Sequence, residues 1–137
     1  GTILFGLDNQ TEDDILRLID FLHEIDLDLA EFTILAPFPH TKAYDDLMRQ
    51  GRIFDHDWDH YNAGQVVYQP KHMTPERLQE LYDYAWSSFY KDETQEEKMF
   101  KLFTKVLLKE MEDGTYKPRD RRLANKSFGQ DVVRNIK

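Results

Sequence analysis

The sequence predicts a mixed α/β fold in which a βαβα unit with parallel strands is followed by a helical region. Three observations support this prediction. An apolar strand, an amphipathic helix and a second apolar strand follow one another near the start of the chain, and such a crossover makes the strands parallel. The second strand leads directly into a Pro-x-Pro turn and a helix start. From residue 74 to about 112 the apolar residues have the period of helices.

The first strand is predicted over residues 2–7, and a turn over residues 6–10 follows it. Thr11 is a good N-cap residue, and Asp14 lies three residues on, where a capping box needs an acceptor. Apolar residues then recur at helical spacing: Ile15, Leu18, Ile19, Leu22 and Ile25. The sequence therefore predicts an amphipathic helix over residues 12–25.

The second strand is predicted over about residues 31–36, where a nearly continuous apolar run favours burial on both faces. Pro37 and Pro39 lack a backbone N–H, so the strand has to end there. Thr41 can cap a helix over residues 42–50. Because ligands of α/β proteins bind at the carboxyl ends of parallel strands, this segment predicts a site as well as a fold.

Residues 51–73 have no sustained period, apart from a possible short strand at residues 65–68, and we interpret them as an irregular connector. Thr74 and Pro75 begin the next helix as N-cap and first helical residue. A further helix is predicted over about residues 94–112, and a short one near residues 130–136. The predicted organisation is therefore residues 1–50, 51–73 and 74–137.

Composition limits the class of protein. A chain of 137 residues suits one domain or one piece of a larger protein, and its abrupt start in a strand favours a piece. No apolar run is long enough for a membrane span or signal peptide. The chain has no cysteine, which excludes disulfides, thiolate nucleophiles and iron–sulfur ligation by its own residues and favours a cytoplasmic setting.

Charge is unevenly distributed along the chain, whose net charge is -8. Residues 8–31 hold nine acidic side chains and one base, whereas residues 117–137 hold seven bases and two acids. We interpret the acidic segment as a solvated face and the basic tail as docking on it or on a neighbouring domain. An acidic total without interleaved aromatic residues disfavours nucleic-acid binding.

One polar cluster requires a choice between two interpretations. His56 and His60, together with Asp57, have the residue types of a metal site. Trp58 and Tyr61 indicate instead a loop that aromatic residues anchor to the body of the protein. We favour the loop and keep the metal site as an alternative.

Taken together and in order, the motifs resemble the C-terminal part of radical S-adenosylmethionine (SAM) proteins that carry a cobalamin-binding domain. The matching segments are residues 2–11, residues 32–41, Gly51-Arg-Ile53, Asp57-Trp58, Tyr61, Pro70, Met73-Thr-Pro-Glu76 and Phe89-Tyr90. The resemblance covers about residues 1–90. Two positions depart from it: His40 stands where glycine is usual, and Gly6-Leu-Asp-Asn9 replaces Gly-Leu-Pro-Gly. The Cys-x3-Cys-x2-Cys motif of the family is absent from this chain.

The resemblance implies that residues 1–50 are the last βαβα units of a TIM-like radical SAM barrel, with an α-helical accessory region after it. The whole enzyme would use a [4Fe–4S] cluster, SAM and, where the cobalamin domain is present, cobalamin, for methyl transfer or a related oxidoreduction of a small molecule. The positions implied to line the cofactor pocket are Gly6, Leu7, Pro37 and Phe38, through shape, apolar contact and backbone hydrogen bonds. For Phe38 a place in the core remains an alternative. No residue of this chain is implied to be catalytic or to bind metal.

The sequence thus predicts a fragment that is inactive alone and whose partner is the rest of its own polypeptide. A non-enzymatic interaction module with acidic and basic faces remains an alternative. A metal-assisted hydrolase using His56, Asp57 and His60 is a more distant one. Since two parallel strands do not close a barrel, their exposed edges predict self-association of the chain.

Overall fold

A computed structural model describes residues 1–25 and 27–117, and in these residues it shows two parallel strands and four α-helices. The elements are β1 (Thr2–Phe5), α1 (Glu12–Glu24), β2 (Glu31–Ile34), α2 (Lys42–Arg49), α3 (Pro75–Phe89) and α4 (Gln95–Glu112), with one turn of 3-10 helix at Trp58–His60. This confirms the mixed α/β class and each predicted helix among the described residues. Both strands end two residues earlier than the sequence predicts.

The two strands pair in parallel, as the strand–helix–strand order predicts. In the register, Thr2 lies opposite Glu31 and Phe5 opposite Ile34. Beyond the strand, the N–H of Leu35 donates to the carbonyl of Phe5 at 2.9 Å. The ladder therefore continues to the carboxyl ends of both strands and holds the two following loops side by side.

The helix starts are built as the sequence predicts. The Thr11 side chain accepts a hydrogen bond from the N–H of Asp14, whose carboxylate accepts from the N–H and the hydroxyl of Thr11 at 2.9 and 2.7 Å. These hydrogen bonds, with the Arg17 side chain nearby, hold the pKa of Asp14 at about 2. At α3 the Thr74 side chain accepts a hydrogen bond from the N–H of Arg77, and Pro75 stands at the start of the helix. The capping box of α1 is confirmed.

The main core lies between one face of the sheet and the two helices α1 and α3. Its buried members include Phe5, Phe32 and Ile34 from the strands, with Ile15, Ile19, Leu22, Leu78, Leu81, Ala85 and Phe89 from the helices. On the opposite face Thr2, Leu4 and Glu31 are exposed and Thr33 is half-buried. The expectation that β2 is buried on both faces is therefore wrong for the described residues, because α1 and α3 pack against the same side.

A second core organises the connector. It consists of Leu47, Ile53, Tyr61, Val67 and Tyr68, with Leu35 and Tyr44 packed against it. The aromatic anchor predicted at Tyr61 is confirmed, since this side chain is buried.

The possible strand at residues 65–68 is reduced to one antiparallel bridge between Ile53 and Tyr68. The carbonyl of Val67 accepts from the N–H groups of both Phe54 and Asp55, each at 3.3 Å. This shared acceptor interrupts the alternation that a regular ladder needs, which explains why no strand forms.

The chain divides into two units, residues 1–99 and 100–137. In α4 most large apolar side chains are exposed: Met99, Phe100, Phe103, Val106, Leu108 and Met111. No helix among the described residues is both long and apolar enough to cross a membrane. The helix expected near residues 130–136 and most of the basic tail lie outside the described residues.

Candidate functional site

The candidate site lies at the carboxyl ends of the two parallel strands. Gly6 and Leu7 follow β1, and Pro37 and Phe38 follow β2. Because the strands are parallel and in register, both pairs lie at one edge, which is where the sequence predicts the site. Gly6 and Pro37 are buried, whereas Leu7 is 40% exposed and Phe38 53% exposed. Among these four residues, only Leu7 and Phe38 present side chains to the solvent.

A glutamine side chain holds the loop after β1. Gln10 Oε1 accepts from the N–H groups of Gly6 and Leu7 at 2.9 and 3.2 Å, and its Nε2 donates to the carbonyl of Leu4 at 3.3 Å. The N–H of Gln10 in turn donates to the carbonyl of Leu7 at 2.9 Å. These backbone groups therefore have partners within the loop, and of the two predicted site residues in this loop Leu7 is the one whose side chain is exposed.

The Tyr68 side chain also holds the loop after β1 in place. Its buried hydroxyl donates to the carbonyl of Gly6 at 2.6 Å. A Cβ at Gly6 would lie 2.2 Å from that hydroxyl oxygen and 3.0 Å from Leu78 Cδ2, and Gly6 has a φ of +90°. Glycine is therefore required here for both space and backbone conformation. Burial raises the pKa of Tyr68, so the tyrosine remains a hydrogen-bond donor.

An ion-pair cluster connects the loop to the connector. The Arg52 guanidinium donates to both carboxylate oxygens of Asp8 at 2.8 and 3.1 Å, and its Nε donates to the carbonyl of Gln69 at 2.8 Å. Lys71 Nζ lies 2.8 Å from Asp8 Oδ2. The hydrogen bond from Arg52 above all, with help from Lys71, holds the pKa of Asp8 at about 2. The Arg52 side chain is only 12% exposed, so it is part of the packed structure.

Sequence reasoning missed this cluster. Asp8 lies in a predicted turn and Arg52 in a segment without period, so neither has a local signal that pairs them. The sequence singled out Arg52 only as part of the Gly-Arg-Ile segment of the family resemblance, which does not identify its partner.

The loop after β2 is a tight turn. The N–H and the hydroxyl of Thr41 both donate to the carbonyl of Phe38, at 3.2 and 2.6 Å. Pro39 and His40 are the two central residues, and His40 has a φ of +65°. Proline followed by a residue with positive φ is typical of a type II turn. The position that is usually glycine in the family resemblance is thus the position that needs positive φ.

The connector also contacts the outer edge of β2. The N–H of Ile34 donates to the carbonyl of Ala63 at 2.7 Å, and Ala63 has a φ of +62°. A turn supports this residue, since the Asn62 side chain accepts from the N–H of Gly64 at 2.9 Å. Residues of the connector therefore fix the ends of both strands.

The Asp- and His-rich segment forms hydrogen bonds within its own loop. His60 Nδ1 lies 2.7 Å from a carboxylate oxygen of Asp55, and Asp57 caps the 3-10 turn through the N–H of Asp59 at 3.1 Å. The hydrogen bond with Asp55 raises the pKa of His60. Trp58 lies over Tyr61, with 4.7 Å between ring centroids, but is 54% exposed.

In the part of the chain that the structure describes, no group of three or more His, Cys, Asp or Glu side chains is arranged to hold a metal ion. The side chains of Asp57 and His60 instead form hydrogen bonds with different residues of the loop. The segment is a folded loop, as the preferred interpretation of the sequence has it.

A shallow groove of about 400 Å³ lies along α3, and none of the four predicted site residues lines it. Phe54, Val66 and Pro75 form its apolar part, and Glu76, Glu80 and Asp83 give it negative charge. Gln79 in this groove is already bonded to the backbone of Gly64 and Val66.

No protein-family model matches the chain. It is 29% identical over 90 residues to an uncharacterized methyltransferase of Pyrococcus horikoshii and 29% identical over 91 residues to the bacteriochlorophyllide d C-12(1)-methyltransferase of Chlorobaculum tepidum. It is 31% identical over 75 residues to the bacteriochlorophyllide d C-8(2)-methyltransferase of the same organism. Part of this chain is similar to methyltransferases.

These similarities cover 66%, 66% and 55% of this chain but 20%, 20% and 17% of the three relatives. The chain therefore spans about a fifth of the length of the curated relatives it matches.

Proposed function

We propose that this chain forms one wall of the SAM and substrate pocket of a radical SAM C-methyltransferase. The observation that carries the proposal is that Leu7 and Phe38 are both exposed at the carboxyl ends of the parallel strands, Leu7 on a loop that Tyr68 and Arg52 hold and Phe38 on a turn closed by Thr41. The similarity to methyltransferases supports the reaction class, and two relatives are named for methyl transfer to numbered carbon positions.

Within this proposal the two exposed side chains provide apolar contact. Leu7 and Phe38 pack against the ligand, while Gly6 and Pro37 set the backbone shape beneath them. The N–H groups of Gly6 and Leu7 already bond to Gln10, so they are not assigned to the ligand. When bound, SAM supplies the methyl group.

The rest of the reaction requires residues outside this sequence. The 137 residues contain no cysteine, so the thiolates that hold a [4Fe–4S] cluster come from another part of the enzyme. The same holds for the cobalamin domain. The remaining barrel strands would come from there too and would cover the exposed face of Thr2, Leu4 and Glu31.

The coding frame upstream of Gly1 provides the first test. We expect a Cys-x3-Cys-x2-Cys motif followed by alternating strands and helices. A frame that begins near Gly1 would contradict the proposal and favour the non-enzymatic interaction module.

The binding role is tested in the enzyme encoded by that frame, reconstituted with iron and sulfide without oxygen. Leu7→Asp and Phe38→Asp should each weaken SAM binding about tenfold or more, because each removes a buried apolar contact and adds a charge. Met48→Asp is the matched control, since Met48 is a 44% exposed apolar residue on α2. Equal effects of all three substitutions would contradict the assigned wall.

A further inference from the structure

The loop that presents Leu7 carries an excess of positive charge. Asp8, the residue after Leu7, is shared by two cations: Arg52 donates to both carboxylate oxygens at 2.8 and 3.1 Å, and Lys71 Nζ lies 2.8 Å from Oδ2. One carboxylate against two cations leaves a single positive charge on this cluster. Because the pKa of Asp8 is about 2 in the folded chain, the carboxylate is ionised and the excess stays at one charge at neutral pH.

The two cations differ in how fully the protein already uses them. Arg52 is largely buried, and besides Asp8 its guanidinium donates to the carbonyl of Gln69 and to the side-chain oxygen of Gln50. The Lys71 side chain is 48% exposed, and among the described residues its ammonium has Asp8 as its one partner. An ammonium has three N–H donors, so two of them remain for a ligand. Arg52 therefore neutralises Asp8, and the excess charge resides on Lys71.

Gln69 holds the backbone that carries Lys71. Its Nε2 donates to the carbonyls of Pro70 and Met73, both at 3.1 Å, and so braces the turn between them. The N–H of Gln69 also donates to the carbonyl of Arg52 at 2.8 Å, and Arg52 Nε donates back to the carbonyl of Gln69. The two cations are thus joined through one residue. A cation whose backbone is already held loses less conformational freedom when a ligand binds.

We propose that Lys71 binds a carboxylate of the ligand whose apolar part lies on Leu7. The inference rests on the proposed pocket wall and names one chemical group of the molecule that occupies it. A carboxylate is favoured over a phosphate dianion, because a single negative charge balances the excess charge of the cluster. Arg52 is a positioning residue in this arrangement, since it neutralises Asp8, which would otherwise repel the ligand.

The charge of the whole chain makes the cluster distinctive. The net charge is -8, so the chain as a whole repels anions. Glu12, the next acidic residue after Asp8, is itself paired with Arg77, whose Nε donates to it at 3.0 Å. A carboxylate that binds beside Leu7 therefore does so through the local charge of Lys71, and added salt should weaken this binding.

The first test uses the 137-residue chain and two probes with the same apolar part, phenylacetate and the uncharged phenylacetamide. NMR titration of the isotope-labelled chain measures both affinities. We expect phenylacetate to bind about threefold to tenfold more tightly than the amide, with shifts of the Leu7 and Lys71 signals. Lys71→Gln should remove this preference, and Lys71→Arg should retain it.

Lys91→Gln is the matched control, because Lys91 is an exposed lysine just after α3, at the other end of that helix from Lys71. It removes the same charge and should leave the preference unchanged. Equal affinities of the two probes for the wild type, or an equal loss in Lys71→Gln and Lys91→Gln, would overturn the proposal. The pocket wall would stand in that case if Leu7→Asp still weakened SAM binding in the whole enzyme, so the two failures are distinguishable.

The whole enzyme identifies the source of the carboxylate, which is either SAM or the molecule that is methylated. SAM is compared with decarboxylated SAM, which lacks only that group. If the carboxylate is that of SAM, Lys71→Gln should weaken SAM binding about threefold to tenfold and leave decarboxylated SAM unaffected. If it belongs to the methylated molecule, SAM binding should not change, and the SAM-loaded enzyme should still prefer phenylacetate only when Lys71 is present. Finding neither dependence on Lys71 would overturn the proposal.

Discussion

The hydroxyl of Tyr68 donates a 2.6 Å hydrogen bond to the carbonyl of Gly6, although 62 residues separate them in the chain. This bond is buried and lies directly below the loop that presents Leu7. Tyr68 and Arg52 both belong to the connector, so this bond and the Arg52–Asp8 ion pair hold the loop of the candidate site against the connector. The position of the site therefore depends on residues that would contact no ligand.

Substitution of Gly6 should be strongly destabilising. Gly6→Ala places a Cβ 2.2 Å from the Tyr68 hydroxyl at a φ of +90°, so it should lower the free energy of unfolding by at least about 2–3 kcal/mol. Urea denaturation measures the loss. Gly51→Ala is the control: Gly51 also has positive φ, but a Cβ there meets nothing within 4 Å, and the expected loss is about 1 kcal/mol. Equal losses would show that space at Gly6 is unimportant.

The Asp8–Arg52 pair should contribute to stability in a defined pH range. The pKa of Asp8 is about 2 in the folded chain, below its ordinary value of 3.8, so its contribution is present above about pH 4 and disappears as the pH falls toward 2. The stability difference between the wild type and Asp8→Asn should shrink over that range. Thermal unfolding at low salt measures it.

The control for the Asp8 experiment is Asp20→Asn, which removes the same charge from an exposed position of α1. When Arg52 is also replaced by Lys, the effect of Asp8→Asn should become smaller, because lysine has no bidentate geometry, but it should not vanish, because Lys71 still lies 2.8 Å from Asp8 Oδ2; the effect of Asp20→Asn should not change. A constant difference from pH 5 to pH 2 would refute the assigned ion pair.

His40→Gly should stabilise the chain. His40 has a φ of +65°, and among the described non-glycine residues only His40 and Ala63 have positive φ. Glycine relieves this conformation but increases the entropy of the unfolded chain, so the expected net gain is about 0.5–1 kcal/mol. His72→Gly is the matched control at another exposed loop histidine without positive φ, and it should destabilise. A loss of stability in His40→Gly would contradict the turn.

The pKa of His60 should lie above its ordinary value of 6.5, because its Nδ1 is hydrogen-bonded to Asp55. The charged pair then contributes stability that is fully present below pH 6.5 and is lost as the pH rises through the folded pKa. NMR titration of the ring measures the value, and Asp55→Asn should lower it. An identical titration in both proteins would exclude the pair. Since Trp58 lies in the same turn, its fluorescence provides a second readout.

The elements that the sequence predicts correctly are those with local signals. The caps Thr11 and Thr74, the proline at Pro75 and the helical spacing of apolar residues all act within a few residues, and each produced the expected helix start. The parallel pairing of β1 and β2 follows from chain connectivity. The four predicted site residues lie at one edge for the same reason, although their exposure was not predictable.

The contacts that hold the candidate site are not local. Arg52 and Asp8 are 44 residues apart, and the sequence around each indicates only a polar loop residue. The prediction that β2 is buried on both faces was wrong, because an apolar run does not show that both helices pack against the same face of the sheet. Such contacts are decided by the path of the connector, which has no periodic pattern.

The two departures from the family resemblance now have structural explanations. Asp8 stands where the resemblance has proline, and its ion pairs with Arg52 and Lys71 restrain the turn that a proline ring would restrain. His40 stands where glycine is usual and adopts the positive φ itself.

Ala63, Tyr68 and Arg52 join the ends of the two strands through bonds that span 29 to 62 residues along the chain. Such contacts close large loops, which costs entropy, and contacts of high sequence separation slow folding. During synthesis the carboxyl ends of both strands would therefore lack these supports until the connector has left the ribosome. The strands β1 and β2 and helix α1 could pack together first, and the loops of the candidate site would acquire their shape only after residues 52–68 have emerged.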